Sequence, residues 1–136
     1  PAKGVRPQGR SAAGMSGIKL ADGDEVLWFG VVDPKSESVV VTIAGSSDSL
    51  PGTATGTAKV TEAKLYPVKG RATGGVRCHK FRSGEDRLSV AWCGPLPARA
   101  ASANGVAIDL PEPDTRRDGT GHPMAAAVSA VSGPVG

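Results

Sequence analysis

The feature that most constrains this chain is a turn rich in glycine and arginine that occurs twice. Residues 9–32 match residues 70–93 without a gap. Six of the 24 residue pairs are identical, namely Gly9/Gly70, Arg10/Arg71, Gly14/Gly75, Lys19/Lys80, Gly23/Gly84 and Leu27/Leu88. A repeat longer than a hairpin, in which each copy buries its faces against a neighbour, predicts a solenoid or a propeller-like array.

Each copy of the repeat is predicted to form a hairpin. In the first copy, residues 15–20 and 26–32 flank an Ala-Asp-Gly-Asp turn at 21–24, which favours a tight connection. In the second copy, apolar and polar residues alternate from 87 to 92, as on a strand with one buried face. The six apolar side chains at corresponding positions are expected in the core: Leu27, Phe29, Val31, Leu88, Val90 and Trp92.

Further strands are predicted between and after the two copies. Residues 38–43 form a run rich in β-branched residues and residues 57–61 alternate polar and apolar residues, so both are predicted strands, and the second directs Lys59 away from its apolar neighbours. The intervening residues 44–56 are polar and too many for a tight hairpin, so we expect a mobile surface loop there, centred on 46–55. The apolar faces are expected to consist of Val39, Val41 and Ile43 in the first strand and Val106, Ile108 and Leu110 in the last.

Composition supports an all-β fold with a separate tail. Glycine and proline make up 30 of the 136 residues, which favours short strands and turns over long helices. From residue 111 the chain is rich in proline and charge and then in alanine, serine and valine, and this predicts a disordered tail. We therefore expect a first blade repeat with its entry loop at 1–60, a second at 61–110 and a flexible tail at 111–136.

The net charge of +3 is unevenly distributed. Residues 1–100 contain 14 Lys and Arg against nine Asp and Glu, whereas residues 101–136 contain two Arg against four acids. Within residues 59–82, seven cations face only Glu62. A basic body with a mildly acidic tail is typical of a polyanion-binding domain, although ordinary solubility would explain the overall charge equally well.

The residues that could carry catalysis lack the arrangements that catalysis needs. His79 and His122 have no nucleophile elbow or metal-ligand spacing around them. The acidic pairs Asp24/Glu25 and Glu85/Asp86 recur at the turns, where solvated turn residues are expected. A strand is predicted after Gly75, which excludes a phosphate-binding loop followed by a helix.

Cysteine content and hydropathy indicate the compartment. Cys78 and Cys93 are too few for a disulfide framework and are expected to be structural thiols, and no signal peptide or apolar run of membrane length occurs. We expect a cytoplasmic protein with no membrane partner and no cofactor in this stretch of chain. The first residue is proline rather than methionine, and the sequence opens already inside a motif. Both observations suggest a fragment of a longer chain.

Several motifs together resemble the C-terminal domain of the A subunit of bacterial DNA gyrase and topoisomerase IV. These motifs are Val-Arg-Pro-Gln-Gly-Arg at 5–10, Gly-Met-Ser-Gly-Ile-Lys-Leu at 14–20, Gly-Asp-Glu-Val at 23–26, Gly-Thr-Ala-Lys at 56–59 and Tyr-Pro-Val-Lys-Gly-Arg-Ala-Thr-Gly-Gly-Val at 66–76. The similarity covers roughly residues 5–110. It implies a β-pinwheel, a propeller-like ring of four-stranded blades whose neighbours share strands, with duplex DNA around the basic outer edge.

The resemblance also implies site residues and partners. Arg10 and Arg71 match the blade-edge turn, and the residues expected to bind DNA are Arg6, Arg10, Lys19, Lys59, Lys69, Arg71, Arg77 and Lys80. The basic heptapeptide box Gln-Arg-Arg-Gly-Gly-Lys-Gly of gyrase is missing, and Gln8–Gly14 is at best a degenerate form of it. The implied partners are duplex DNA, the remainder of the A subunit and the ATPase B subunit, in the bacterial nucleoid.

The interpretation that follows is a non-catalytic part of a DNA topoisomerase. It binds duplex DNA by backbone charge and bends it, in support of ATP-dependent strand passage by the full enzyme, an isomerase. The family's catalytic tyrosine lies in the other half of the subunit, and Tyr66 matches an ordinary aromatic of the blade motif. The alternative is a β-propeller-like scaffold for protein interactions, whose basic patch contacts acidic protein.

Overall fold

The computed structural model describes residues 20–28, 30, 32, 35–46, 56–67, 75–124 and 126–133. These residues fall into two units. The smaller unit contains 20–25, 67, 75 and 76, and the larger contains the others. Among the described residues there are seven strands, one turn of 3-10 helix and no α-helix, which confirms the all-β prediction.

The strands all belong to the larger unit. They are β1 (Ser38–Gly45), β2 (Thr57–Glu62), β3 (Arg87–Pro95), β4 (Arg99–Ala101), β5 (Ala107–Ile108), β6 (His122–Pro123) and β7 (Ala130–Ser132), with the 3-10 helix Ala63–Leu65 after β2. Strands β3, β1, β2 and β6 form one sheet in that order, and β5, β4 and β7 form a second. All strand pairs in both sheets are antiparallel.

Strand β1 lies at the centre of the core. Its sequence contains a run of β-branched residues, which pack well on a pleated surface. Val39 and Val41 are fully buried and Ile43 is nearly so, which confirms the predicted apolar face. Ala58 and Val60 of β2 join the same cluster, together with Ala100 and Val128, and Val90 and Trp92 of β3 pack against it.

The turn of the repeat is present in both copies. In the smaller unit, the Asp24 N–H donates to the Ala21 carbonyl at 3.0 Å, and in the larger unit the Glu85 N–H donates to the Arg82 carbonyl at the same distance. Gly23 and Gly84 have φ angles of 84° and 89°, a region that favours glycine because it has no Cβ. The glycine pair of the sequence repeat thus serves the same local geometry in each copy.

The predicted hairpins around these turns are wrong in the described residues. Residues 26–28, 30 and 32 lie outside any strand, and Leu27 is 48% exposed rather than in the core. In the second copy, β3 pairs with β1, and residues 77–81 contribute only an isolated bridge from Lys80 to Thr120. Strand β1 pairs with β3 over eight residue pairs, a longer register than residues 77–81 could supply.

Other predicted positions have mixed outcomes. Ile108 pairs in β5 and packs against the core with Leu110, but Val106 is 63% exposed. Strand β1 continues through Ala44 and Gly45, so the predicted loop begins later than expected. Phe29, Val31 and residues 47–55 of that loop lie outside the described residues.

The prediction of a disordered tail is corrected by the structure, because residues 111–124 and 126–133 are part of the fold. Strand β6 pairs with β2 through Thr57↔Pro123 and Ala58↔His122. Strand β7 pairs with β4, and Val128 belongs to the buried core cluster. Its content of proline, charged residues and small side chains predicted disorder, but its docking depends on backbone hydrogen bonds and small side chains.

The two sheets cut across the predicted division into blades. The four-stranded sheet takes strands from each of the ranges 1–60, 61–110 and 111–136, and the border at 60/61 falls inside β2. The sheet therefore combines strands from different parts of the predicted division. Among the described residues, no helix has the length and apolar character needed to cross a membrane.

Candidate nucleic-acid interface

Two segments of the larger unit lie side by side and together form what we call the basic rim, residues 77–82 and 116–121. The Lys80 N–H donates to the Gly119 carbonyl at 2.9 Å, and Lys80 and Thr120 form a parallel bridge. At either end an arginine reaches across: Arg117 Nη1 donates to the Arg77 carbonyl and Arg82 Nη2 to the Gly121 carbonyl, each at 2.7 Å. Gly121 allows this close approach, because a Cβ at that position would lie 2.6 Å from His79 Nε2 and 2.7 Å from Thr57 Oγ1.

Lys59 lies beneath the rim and ties its two segments together. The side chain is 1% exposed, and its Nζ donates to the carbonyls of Cys78 at 3.3 Å and Arg116 at 2.6 Å and to that of Arg117. Burial lowers the pKa of Lys59 below its usual value, while the Asp114 carboxylate acts in the opposite direction. Carbonyl oxygens thus occupy all three of its N–H donors.

A chain of hydrogen bonds runs behind the rim through the buried His79. Thr42 Oγ1 lies 3.0 Å from His79 Nδ1, and Thr57 Oγ1 lies 3.1 Å from Nε2 and donates to Glu85 Oε2. Because the Thr57 hydroxyl proton is used on Glu85, Nε2 carries the ring proton and Nδ1 accepts from Thr42. Burial lowers the pKa of His79, with the Glu85 carboxylate opposing that shift.

Glu85 is therefore more than the solvated turn residue that its position predicts. Its Oε1 accepts the Arg82 N–H at 2.6 Å within the turn, and its Oε2 accepts from Thr57 of the sheet. The recurring acid at this turn position fixes the second turn to strand β2. This role explains Glu85 without any acid–base chemistry.

The rim has a strong excess of positive charge. Its 12 residues contain five cations and the single acid Asp118. Arg77, Lys80, Arg82 and Arg116 are exposed, whereas Arg117 is half-buried. Closely spaced cations with few counter-charges create the local positive potential that attracts a polyanion.

The predicted site residues have different outcomes. Arg77 and Lys80 lie together on the rim. The predicted role of Lys59 as a DNA ligand is corrected, because its buried ammonium group donates to carbonyls and presents no charge to a phosphate at the surface. The remaining predicted residues, Arg6, Arg10, Lys19, Lys69 and Arg71, lie outside the described residues.

The sequence-based prediction missed Arg82, Arg116 and Arg117. Arg82 falls within the charged stretch 59–82, but it aligns with the uncharged Ala21 in the repeat, so the repeat does not mark it as a cationic position. The Arg116-Arg117 pair is visible in the sequence, but the surrounding composition assigned it to a tail. Only the docking of this segment on Lys59 and Lys80 makes the pair part of the rim.

The described residues offer no cluster of His, Cys, Asp or Glu that could hold a metal ion. Cys78 and Cys93 are free thiols and half-buried. Burial raises the pKa of both thiols, which disfavours the reactive thiolate. These observations fit the structural role predicted for both cysteines.

The comparisons with known proteins agree on one family. The sequence matches the family described as DNA gyrase C-terminal domain, beta-propeller, over residues 1–33 and 52–91, just over half of the chain. The chain is 41% identical over 88 residues to topoisomerase subunit TopoM of Mycolicibacterium smegmatis, covering 64% of this chain and 11% of that protein.

Two DNA gyrase A subunits are similarly related. The chain is 40% identical over 78 residues to that of Aeromonas salmonicida, covering 57% of this chain and 7% of the relative. It is 34% identical over 117 residues to that of Staphylococcus epidermidis, covering 85% and 12%. The chain thus matches about a tenth of the length of these relatives.

Proposed function

Since this chain belongs to the DNA gyrase C-terminal domain family, a β-propeller domain of type IIA topoisomerase A subunits, we propose that it binds duplex DNA by backbone charge and bends it. The observation that carries this proposal is the basic rim, where five cations face one acid. The residues proposed to contact DNA are Arg6, Arg10, Lys19, Lys69, Arg71, Arg77 and Lys80.

The chemistry of the rim favours phosphate contacts over base recognition. Arginine presents a planar fork of donors that matches two phosphate oxygens. Phosphate contacts position a protein on the duplex without reading its sequence. The proposed binding is therefore independent of sequence, strongly dependent on salt, and suited to holding a bent duplex.

In the complete protein, this binding would serve strand passage. The proposed partners are the remainder of the A subunit and an ATPase B subunit, and the proposed process is ATP-dependent DNA strand passage. The chain itself supplies positive charge to this process. In this proposal it presents a set of cations to the DNA segment that the enzyme handles.

The experiment is a titration of the 136-residue chain with unrelated duplexes at several salt concentrations. Arg77→Ala and Lys80→Ala should each weaken binding to all duplexes about equally and reduce the slope of log affinity against log salt by about one unit. Arg10→Ala and Arg71→Ala should act in the same way, near additively. A wild-type affinity independent of salt would contradict the proposal.

Bending is measured on the same complexes with a duplex labelled at both ends for energy transfer. Saturation with the chain should raise the transfer efficiency, because a bend shortens the distance between the ends. Binding to polyglutamate with an affinity equal to that for DNA would favour the alternative of a scaffold for acidic proteins. Binding to DNA without a change in transfer would restrict the function to simple binding.

A further inference from the structure

We propose that the C-terminal segment 114–121 is part of the DNA-binding surface, with Arg116 and Arg117 as phosphate ligands and the buried Lys59 as the residue that positions them. This inference rests on the proposed function and names a part of the interface outside the repeated motifs. The ligand is the phosphodiester backbone of a duplex. The juxtaposition of the two arginines with Arg77 and Lys80 carries the inference.

The first argument is that the segment has a defined position. The Asp114 N–H donates to the Val60 carbonyl at 2.6 Å, and Asp114 forms a bridge with Thr61. At the other end of the segment, Thr120 forms a bridge with Lys80. Because both ends are fixed by backbone contacts, the two arginines between them are held at one place on the surface.

The second argument concerns the charges that this position brings together. Arg116 is exposed, and the Arg117 guanidinium is placed at the Arg77 carbonyl. That bond uses one of the five N–H donors of Arg117, and the half-buried side chain retains contact with solvent. Two arginines that lie 39 and 40 residues from Arg77 in sequence thus extend the same cationic surface.

The third argument is the buried ammonium of Lys59. Its Nζ contacts the carbonyls of the two arginine residues themselves and that of Cys78 on the other segment. A lysine is costly to bury unless its donors are satisfied, so this side chain stabilises one arrangement of the two segments. Lys59 acts through Arg116 and Arg117 and has no contact with the ligand of its own.

The test compares two double variants of the full 136-residue chain in salt titrations with duplex DNA. Arg116→Ala with Arg117→Ala should reduce the salt slope by nearly two units, so that raising salt fourfold weakens wild-type binding about tenfold more than variant binding. The matched control is Arg87→Ala with Arg99→Ala, which removes the same charge from exposed positions on β3 and β4. The control should keep the wild-type slope.

The outcomes separate this inference from the proposed function. If the wild-type chain binds DNA and the two double variants have equal slopes, the C-terminal segment is outside the interface while the proposed function stands. If the wild-type chain fails to bind duplex DNA, the proposed function fails. Circular dichroism and thermal melting confirm that each variant compared is folded.

The positioning role of Lys59 has its own measurement. Lys59→Met should reduce the slope by the same amount as the arginine pair, and adding it to that pair should reduce the slope no further. Lys59→Arg, which keeps the charge and the donors, should retain most of the slope and covers the case in which Lys59→Met is unfolded. A folded Lys59→Met chain with the wild-type slope would overturn the positioning role.

Discussion

At the residue scale, the most informative group is the hydrogen-bonded chain Thr42–His79–Thr57–Glu85. Each hydroxyl and each ring nitrogen has a defined role in it, so the buried polar atoms are satisfied without water. Gly121 packs directly against this chain. A Cβ placed on Gly121 would lie 2.6 Å from His79 Nε2 and 2.7 Å from Thr57 Oγ1.

We therefore predict that Gly121→Ala destabilises the protein by about 1–3 kcal/mol, because the added methyl group must displace the bonded imidazole or threonine. Gly119→Ala is the matched control two residues away, where the nearest atoms to an added Cβ lie at 3.8 Å. Chemical denaturation of both variants measures the difference. Equal stability of the two would show that the segment does not pack closely on His79.

Single residues were predictable where their alternation in sequence determines their face. Val39, Val41 and Ile43 are spaced two residues apart in a run of β-branched residues, and all three are buried. His79 was not predictable, because its partners Thr42 and Thr57 lie 37 and 22 residues away and no local pattern joins them. A polar side chain acquires its role from the tertiary fold, whereas an apolar one in a strand acquires it from the period of the strand.

At the scale of elements, the main feature is the attachment of residues 114–123 to β2. Strand β6 supplies only two paired residues, which is little for a sheet edge. Lys59 adds its contacts with the Arg116 and Arg117 carbonyls, and these lie between the strand pairing and the bridge at Asp114. The segment is thus held at three places along β2.

Lys59→Met is expected to lower the free energy of unfolding by about 1–3 kcal/mol, since it leaves carbonyl groups at the rim without their donor. The control is Lys64→Met, because Lys64 is largely exposed and forms only a surface ion pair with Glu62 at 2.9 Å, so its loss should change stability little. Urea denaturation provides the values. Limited proteolysis should show earlier cleavage in 111–121 for Lys59→Met than for the control.

This element was missed in the sequence for a physical reason. Its anchoring groups are backbone carbonyls at 116, 117, 119 and 121 and backbone N–H groups such as that of Asp114. Every residue carries such groups, so composition cannot indicate which of them will be used. Strands β1, β2 and β3 were predicted because their side chains form the pattern, and β6 was missed because its side chains do not.

At the scale of the whole molecule, the burial of His79 links stability to pH. Its folded-state pKa is lowered by burial from the usual 6.5, an effect that Glu85 and Asp114 oppose and that Lys59 and Arg82 reinforce. The unfolded chain therefore binds a proton at a higher pH than the folded protein does. The stability is fully present above about pH 6.5 and falls as the pH is lowered towards the depressed folded-state value.

We predict that the urea midpoint of the wild-type chain decreases when the pH is lowered from 7.5 to 5.5. His79→Gln keeps a donor and an acceptor but cannot be protonated in this range, so its midpoint should decrease less. His122→Gln removes the other histidine, which is about half exposed, and should retain the wild-type fall. A fall of the same size in His79→Gln and His122→Gln would contradict the assignment to the buried imidazole.

The docking of the C-terminal segment on β2 also has a consequence for the chain as it is being made. Strands β1 and β2 can pair once residue 62 has emerged, but the outer edge of β2 at Thr57 and Ala58 remains open until residues 122 and 123 are available. An open strand edge is a template for pairing with another chain. Until β6 is available, the half-synthesised protein is therefore exposed to strand addition between molecules at this edge of β2, and the pairing of β6 closes it.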